Sequence, residues 1–128
     1  MDKAANLITS IKMGGRAKKE TIMVPYTNLM GEIAKTLFNA GFIASYAKKS
    51  RKNGDMLEVG VSYVESQPRV TDVKRVSKSS RRVYYGVQDI NSIKNGRGLL
   101  VLSTPKGVMT GDDARKAHVG GEALFEIW

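Results

Sequence analysis

Leu99-Leu100-Val101-Leu102-Ser103-Thr104-Pro105-Lys106-Gly107-Val108-Met109-Thr110-Gly111-Asp112-Asp113 is the stretch on which the fold turns. Its aliphatic run Leu99–Leu102, continued by Ser103 and Thr104, predicts a buried strand over Leu99–Thr104. Thr110 stands where a helix N-cap belongs, with Asp113 at the reciprocal capping-box position three residues on. Asp112 and Asp113 then lie at the positive end of the helix dipole, and Arg115 and Lys116 nearer its negative end. Gly120 and Gly121 are expected to end this short helix, and Leu124–Trp128 to form a last strand. A segment of hydroxyls, one lysine and one glycine, Ser103–Thr110, is thus held between a buried strand and a capped helix.

Working outward from it, Val70–Val76 and Arg82–Tyr85 also read as strands, with Lys78-Ser79-Ser80 as the turn between them. Ile90–Asn95 reads as one or two helical turns. Ser66-Gln67-Pro68, short and polar and broken by proline, reads as a linker. Before it the pattern is different. Ala4, Leu7, Ile8 and Ile11 recur at helical spacing, and Gly14-Gly15 is expected to stop that helix. Thr21–Val24 predicts a strand closed by Pro25. Thr27 is a good N-cap for a second helix with Leu29, Ile33 and Leu37 on one face, and Gly41 fits a left-handed C-terminal cap. Phe42–Lys48 and Met56–Val64 predict two strands joined through Asn53-Gly54, a strong hairpin signal. The expected fold class is α+β. A small N-terminal α/β lobe (helix–strand–helix–strand–strand, residues 1–65) packs on a mostly β C-terminal lobe with a short helix (residues 66–128).

Composition narrows the function. The 128 residues carry 21 Lys and Arg against 12 Asp and Glu, a net charge of +9. So large an excess on a short chain calls for a polyanion, and nucleic acid is the commonest one. No detachable tail accounts for it, because both halves are basic. The charge clumps at Lys48, Lys49, Arg51 and Lys52, and again at Arg69, Lys74, Arg75, Lys78, Arg81 and Arg82. Either clump alone also reads as a solvated surface; together they point to phosphate. With no cysteine and one histidine, disulfides, thiolate metal sites, thiol nucleophiles and purely His-ligated metals are excluded. No cofactor and no metal are expected. The longest aliphatic run, Leu99–Leu102, is far short of the roughly 20 residues of a spanning helix, so no membrane partner is expected. The residues after Met1 do not resemble a signal peptide, so the expected location is the cytoplasm or the inside of an organelle.

No catalytic constellation stands out. His118 lies at an expected helix C-terminus, Asp112 and Asp113 are explained as capping acids, and Gly96-Arg97-Gly98 is too short for a nucleotide fingerprint. The chemistry sits instead in Ser103, Thr104, Lys106 and Gly107. Hydroxyls can bond sugar 2′-OH groups, phosphate and base edges; Gly107 lets a backbone approach closely; Lys106 offers a point charge. The alternative is a plain turn built from Ser, Thr, Pro and Gly. Tyr84 and Tyr85, beside Arg81 and Arg82, point to opposite sides of a strand, one toward the core and one available for contact.

The run Ser103–Trp128 resembles the C-terminal signature of ribosomal protein eight of the small subunit, bacterial type, in which Ser-Thr-x-x-Gly-Val-Met-Thr precedes a short helix, Gly-Gly-Glu and a final strand. Val76-Ser77-Lys78-Ser79-Ser80-Arg81-Arg82-Val83-Tyr84 is similar to that family's basic hairpin. Val24–Thr27 through Gly41-Phe42-Ile43 is similar to its second helix and following strand. The resemblance covers the whole chain and is most specific from Val76 onward.

It implies a non-enzymatic protein that binds the central domain of small-subunit ribosomal RNA during assembly, beside neighbouring ribosomal proteins, and that does not form a homo-oligomer. Carried over, the RNA-binding residues are Ser103, Thr104, Lys106, Gly107, Tyr84, Arg82, Gly121 and Glu122. Lys12, Lys48, Lys49, Arg51, Lys52, Lys78 and Arg81 are expected phosphate contacts. Glu122 would accept from a base amino group or a 2′-OH, or serve as a structural acid. Three departures stand out: Ser79-Ser80 replaces the usual Pro-Gly, Asn28 and Met30 replace usual lysines, and Thr9-Ser10-Ile11-Lys12-Met13 stands where the family's first helix commonly reads Thr-Arg-Ile-Arg-Asn. Two other readings are repression of translation through a messenger-RNA mimic of the same site, and a small phosphate-binding enzyme using Ser103–Thr110.

Overall fold

The computed structural model describes residues 3–78, 80–90 and 98–128. The chain divides into two compact units, Met1–Thr71 and Asp72–Trp128. The architecture is α+β, with three helices and a mostly strand C-terminal part. No helix among the described residues is long and apolar enough to cross a membrane.

The first unit runs α1 (Lys3–Arg16), β1 (Thr21–Pro25), α2 (Asn28–Asn39), β2 (Ile43–Arg51), β3 (Gly54–Val61), β4 (Tyr63–Val64) and β5 (Gln67–Pro68). Its antiparallel sheet has the order β1-β3-β2. Leu7, Ile8 and Ile11 of α1 are buried, as are Ile33 and Leu37 of α2 and Leu57 and Val59 of β3. Thr27 caps α2 through a hydrogen bond from the Met30 amide, 3.2 Å, and Gly41 takes a positive φ of 84° after its end. The buried face of α2 differs from the expected one by one position: Met30 is 1% exposed and Leu29 38%.

Gly14 and Gly15 do not stop α1, which continues to Arg16. Their role is close packing instead. A Cβ on Gly14 would lie 2.6 Å from Ile22, and one on Gly15 3.0 Å from Pro68. Strands β2 and β3 extend further into their hairpin than expected, so that Arg51 pairs with Gly54 across Lys52-Asn53. The expected linker is itself structured. Glu65 and Ser66 both adopt positive φ, turning the chain so that Val64 pairs with Gln67 and Tyr63 with Pro68. Lys18 Nζ donates to the Ser66 carbonyl at 2.5 Å, and the Tyr63 hydroxyl to the Lys19 carbonyl at 2.6 Å.

The second unit runs β6 (Val73–Arg75), β7 (Tyr84–Tyr85), a 3-10 turn (Val87–Asp89), β8 (Leu99–Thr104), β9 (Gly107–Thr110), α3 (Gly111–Lys116) and β10 (Gly121–Ile127). The sheet order is β6-β10-β8-β9, with β7 also on β10. One face carries a core of Ile90, Leu100, Leu102, Ala114 and Ala123, with Val76, Tyr85 and Met109 packed against it. Beyond Ile90, the expected helical turns at Ile90–Asn95 lie outside the described residues, as do Ser79 in the basic hairpin and Gly96-Arg97. Strand β8 is the expected one, and the last strand begins earlier than expected, at Gly121. Helix α3 starts as predicted, with the Thr110 hydroxyl accepting from the Asp113 amide at 3.2 Å. It does not end at Gly120. Lys116 is its last residue and His118 takes the left-handed position, φ 56°, with the Val119 amide bonded back to the Ala114 carbonyl. Histidine tolerates that conformation better than most side chains.

Candidate nucleic-acid interface

Ser103–Thr110 is not a free loop. Strands β8 and β9 form a hairpin in which Thr104 pairs with Gly107 across a two-residue turn, Pro105-Lys106. Proline pre-sets the second turn position, and Gly107 supplies a φ of 113° that a side chain would strain. The Thr104 hydroxyl lies inside this turn, donating to the Gly107 carbonyl at 2.7 Å and accepting from the Lys106 amide at 3.1 Å. Thr104 is 9% exposed, so its hydroxyl shapes the tip. Lys106 extends from the tip into solvent. Ser103 is half-buried, and its hydroxyl has no partner among the described residues.

Strand register assembles the rest. Glu122 lies opposite Tyr84 on β7 and opposite Ser103 on β8, and Ser103 lies opposite Val108 on β9. Directly opposed residues share a face, so Tyr84, Glu122, Ser103 and Val108 form one row across four strands. The neighbouring row, Ala123, Leu102 and Met109, belongs to the core. The Tyr84 row is therefore on the opposite face from that core. Tyr84 is 69% exposed, the most open of the large apolar side chains among the described residues, whereas Tyr85 packs against the core. Gly120 and Gly121 let the strands close up. A Cβ on Gly120 would sit 2.3 Å from the Tyr85 carbonyl oxygen, and one on Gly121 2.2 Å from that of Ser103.

Glu122 is the hub of the row. Its Oε2 accepts from the Ser77 hydroxyl at 2.6 Å and from Arg82 Nη1 at 3.0 Å. Ser77, 6% exposed, also accepts from the Val83 amide at 3.1 Å. Lys78 and Arg81 exchange backbone hydrogen bonds at the far end. Ser77-Lys78 and Arg81–Val83 thus form the two sides of an arm whose neck is fastened by Ser77 to β10. Burial works against the Glu122 charge and is the largest single effect. The hydrogen bonds of Ser77 and Arg82, with the Arg82 charge, together outweigh it and hold the carboxyl below its usual range. Arg82 is shifted upward, chiefly by its hydrogen bond to Glu122 and that carboxylate's charge. One Glu122 oxygen, Oε2, is thus committed to partners within the chain. Sequence reasoning assigned Ser77 no role; a serine becomes a hub only when tertiary pairing buries it.

The remaining basic residues differ in availability. Lys78 and Arg81 are exposed on the arm. Lys48 is engaged, with Nζ 3.4 Å from Asp55 and 4.8 Å from the centre of the Tyr26 ring. Arg51 and Lys52 are exposed at the β2–β3 tip, and Lys49 and Lys12 are half-buried. These last five belong to the first unit and the Glu122 row to the second. No group of three His, Asp or Glu among the described residues could hold a metal ion.

A family model described as ribosomal protein S8 matches residues 2–128. A curated relative from Mycoplasmopsis agalactiae, named small ribosomal subunit protein uS8, is 39% identical over 127 residues, covering 99% of this chain and 97% of its own. Proteins of the same name from Paramagnetospirillum magneticum and Rhizorhabdus wittichii are 38% and 36% identical, with the same coverage. The match spans both units. This chain belongs to the ribosomal protein S8 family, whose members are structural and non-enzymatic.

Proposed function

We propose that this chain is a constituent of the small ribosomal subunit that binds the central domain of small-subunit ribosomal RNA and supports its assembly, alongside neighbouring ribosomal proteins. The observation that carries the reading is the row Tyr84–Glu122–Ser103 next to the Pro105-Lys106 tip. An open aromatic face can stack on an unpaired base, a free hydroxyl can bond a base edge or a 2′-OH, and Lys106 can meet a phosphate. None of these contacts depends on a large charge. The excess of basic residues adds a sequence-independent attraction, with Arg82, Lys78 and Arg81 nearest the row in the chain and Lys12, Lys49, Arg51 and Lys52 on the other unit. Within the site, Ser103, Tyr84 and Lys106 touch RNA, while Thr104, Gly107, Gly121 and Arg82–Glu122 hold the surface in shape.

Co-sedimentation tests the reading. The tagged full-length chain should travel with small subunits in a gradient and persist with them at moderate salt. A folded chain that stays at the top of the gradient at low salt would refute it.

A further inference from the structure

The arm has a second face. Lys78 and Arg81 are directly paired across its turn and therefore point to the same side. The residues alternating with them, Ser77 and Arg82, are those that gather on Glu122. On the Lys78–Arg81 side lies a groove of about 340 Å³ whose charged lining is Lys74, Arg75, Lys78, Arg81 and Glu126. The register agrees with this division. Lys74 lies opposite Glu126, and Glu126 opposite Leu100, a member of the core face, whereas Glu122 lies opposite Ser103 on the other face. The groove thus opens on the opposite side of the sheet from the Tyr84 row.

Lys74, Lys78 and Arg81 against the single carboxylate of Glu126 give this groove an excess of positive charge. Lys74, Lys78 and Arg81 are exposed and have no ion-pair partner among the described residues. Its single aromatic, Tyr85, is half-buried against the core, in contrast to the open ring of Tyr84. A surface of this kind suits a phosphodiester backbone and carries no means of telling bases apart.

We infer that this groove takes the backbone of a second RNA segment, so that the arm is clasped between two RNA segments, one read by the Tyr84 row and one held by charge alone. The inference rests on the proposed RNA-binding role and adds a separate site to it. The test uses the full-length chain saturated with an unlabelled central-domain transcript and titrated with a fluorescent 12-base-pair RNA duplex of unrelated sequence. The ternary complex should form. The triple variant Lys74→Gln, Lys78→Gln, Arg81→Gln should weaken duplex binding at least tenfold and flatten its log–log salt dependence by about two to three units. A control of equal charge change, Lys19→Gln, Lys35→Gln, Lys116→Gln, should stay within threefold of wild type. Equal weakening by both variants, or by neither, would overturn the groove. Ser103→Ala separates the two claims: it should impair transcript binding and leave duplex binding intact. A wild-type chain that binds the duplex but not the transcript would contradict the ribosomal reading while leaving the groove standing.

Discussion

Ser77→Ala removes one oxygen atom and should loosen the whole arm. In the native chain that oxygen accepts from the Val83 amide at 3.1 Å and donates to Glu122 at 2.6 Å. A hydrogen bond to a charged group contributes about 1.5–3 kcal/mol, and a neutral one about 1. Water can enter part of the vacated space, because Arg82 on the Glu122 side is more than half exposed. The expected loss is therefore about 2–3 kcal/mol rather than the full sum. Urea unfolding followed by the fluorescence of Trp128, the lone tryptophan, reports the second unit. With a slope of about 1–2 kcal/mol/M the midpoint should fall by about 1–3 M. Amide exchange at Val83 should rise in native buffer. The double variant Ser77→Ala, Glu122→Gln should be less destabilised than the sum of its singles, by about 1 kcal/mol, since both remove the same contact. A loss below about 0.5 kcal/mol, with additive singles, would show that the arm is not fastened through Ser77 and refute the reasoning.

Three further perturbations separate shape from contact. Thr104→Ala should cost about 1–2 kcal/mol in urea unfolding and only secondarily weaken RNA binding, because its hydroxyl is spent within the turn; Thr104→Ser should restore most of the stability. Gly121→Ala should be the most damaging single change to the sheet, at about 3 kcal/mol or more, since its Cβ meets the Ser103 carbonyl at 2.2 Å; a wild-type midpoint would contradict the close approach of β10 and β8. The carboxyl of Glu122 is held below its ordinary value of 4.5, so the stability it confers is complete above that value and is lost as the pH falls through the lower folded one. The gap in stability between wild type and Glu122→Gln should hold from pH 7 to about pH 5 and close below about 4.5. A constant gap down to pH 2 would argue against the ionic role.

Much of this was legible in the sequence wherever local chemistry decides. Thr27 and Thr110 cap their helices because a hydroxyl before an apolar repeat satisfies orphan amides. Adjacent tyrosines in a strand must part, and Tyr84 and Tyr85 do. Legibility failed where a residue answers to a distant neighbour. Gly14 and Gly15 carry the same signal as a helix stop but are small because Ile22 and Pro68 press on them. Met30 rather than Leu29 is buried beside Ile33 and Leu37, a choice between adjacent apolar side chains that the sequence does not signal. Strand β9 was hidden because Gly107-Val108-Met109-Thr110 is short and takes its identity from β8. Of the site, the residue types were legible and their internal bonding was not: the Thr104 hydroxyl is bonded within its own turn, and Glu122 accepts from Ser77 and Arg82.

The central claim is that the Tyr84 row reads RNA by shape and hydrogen bonding while distributed charge only attracts it. It is tested most directly by the affinity of the full-length double variant Tyr84→Ala, Ser103→Ala for a central-domain transcript at 0.15 M salt. Loss of a stacked base contact of about 1–3 kcal/mol and a hydrogen bond of about 1 kcal/mol predicts a fall of at least 30-fold, with the salt slope unchanged. A folded double variant that binds within twofold of wild type would contradict it.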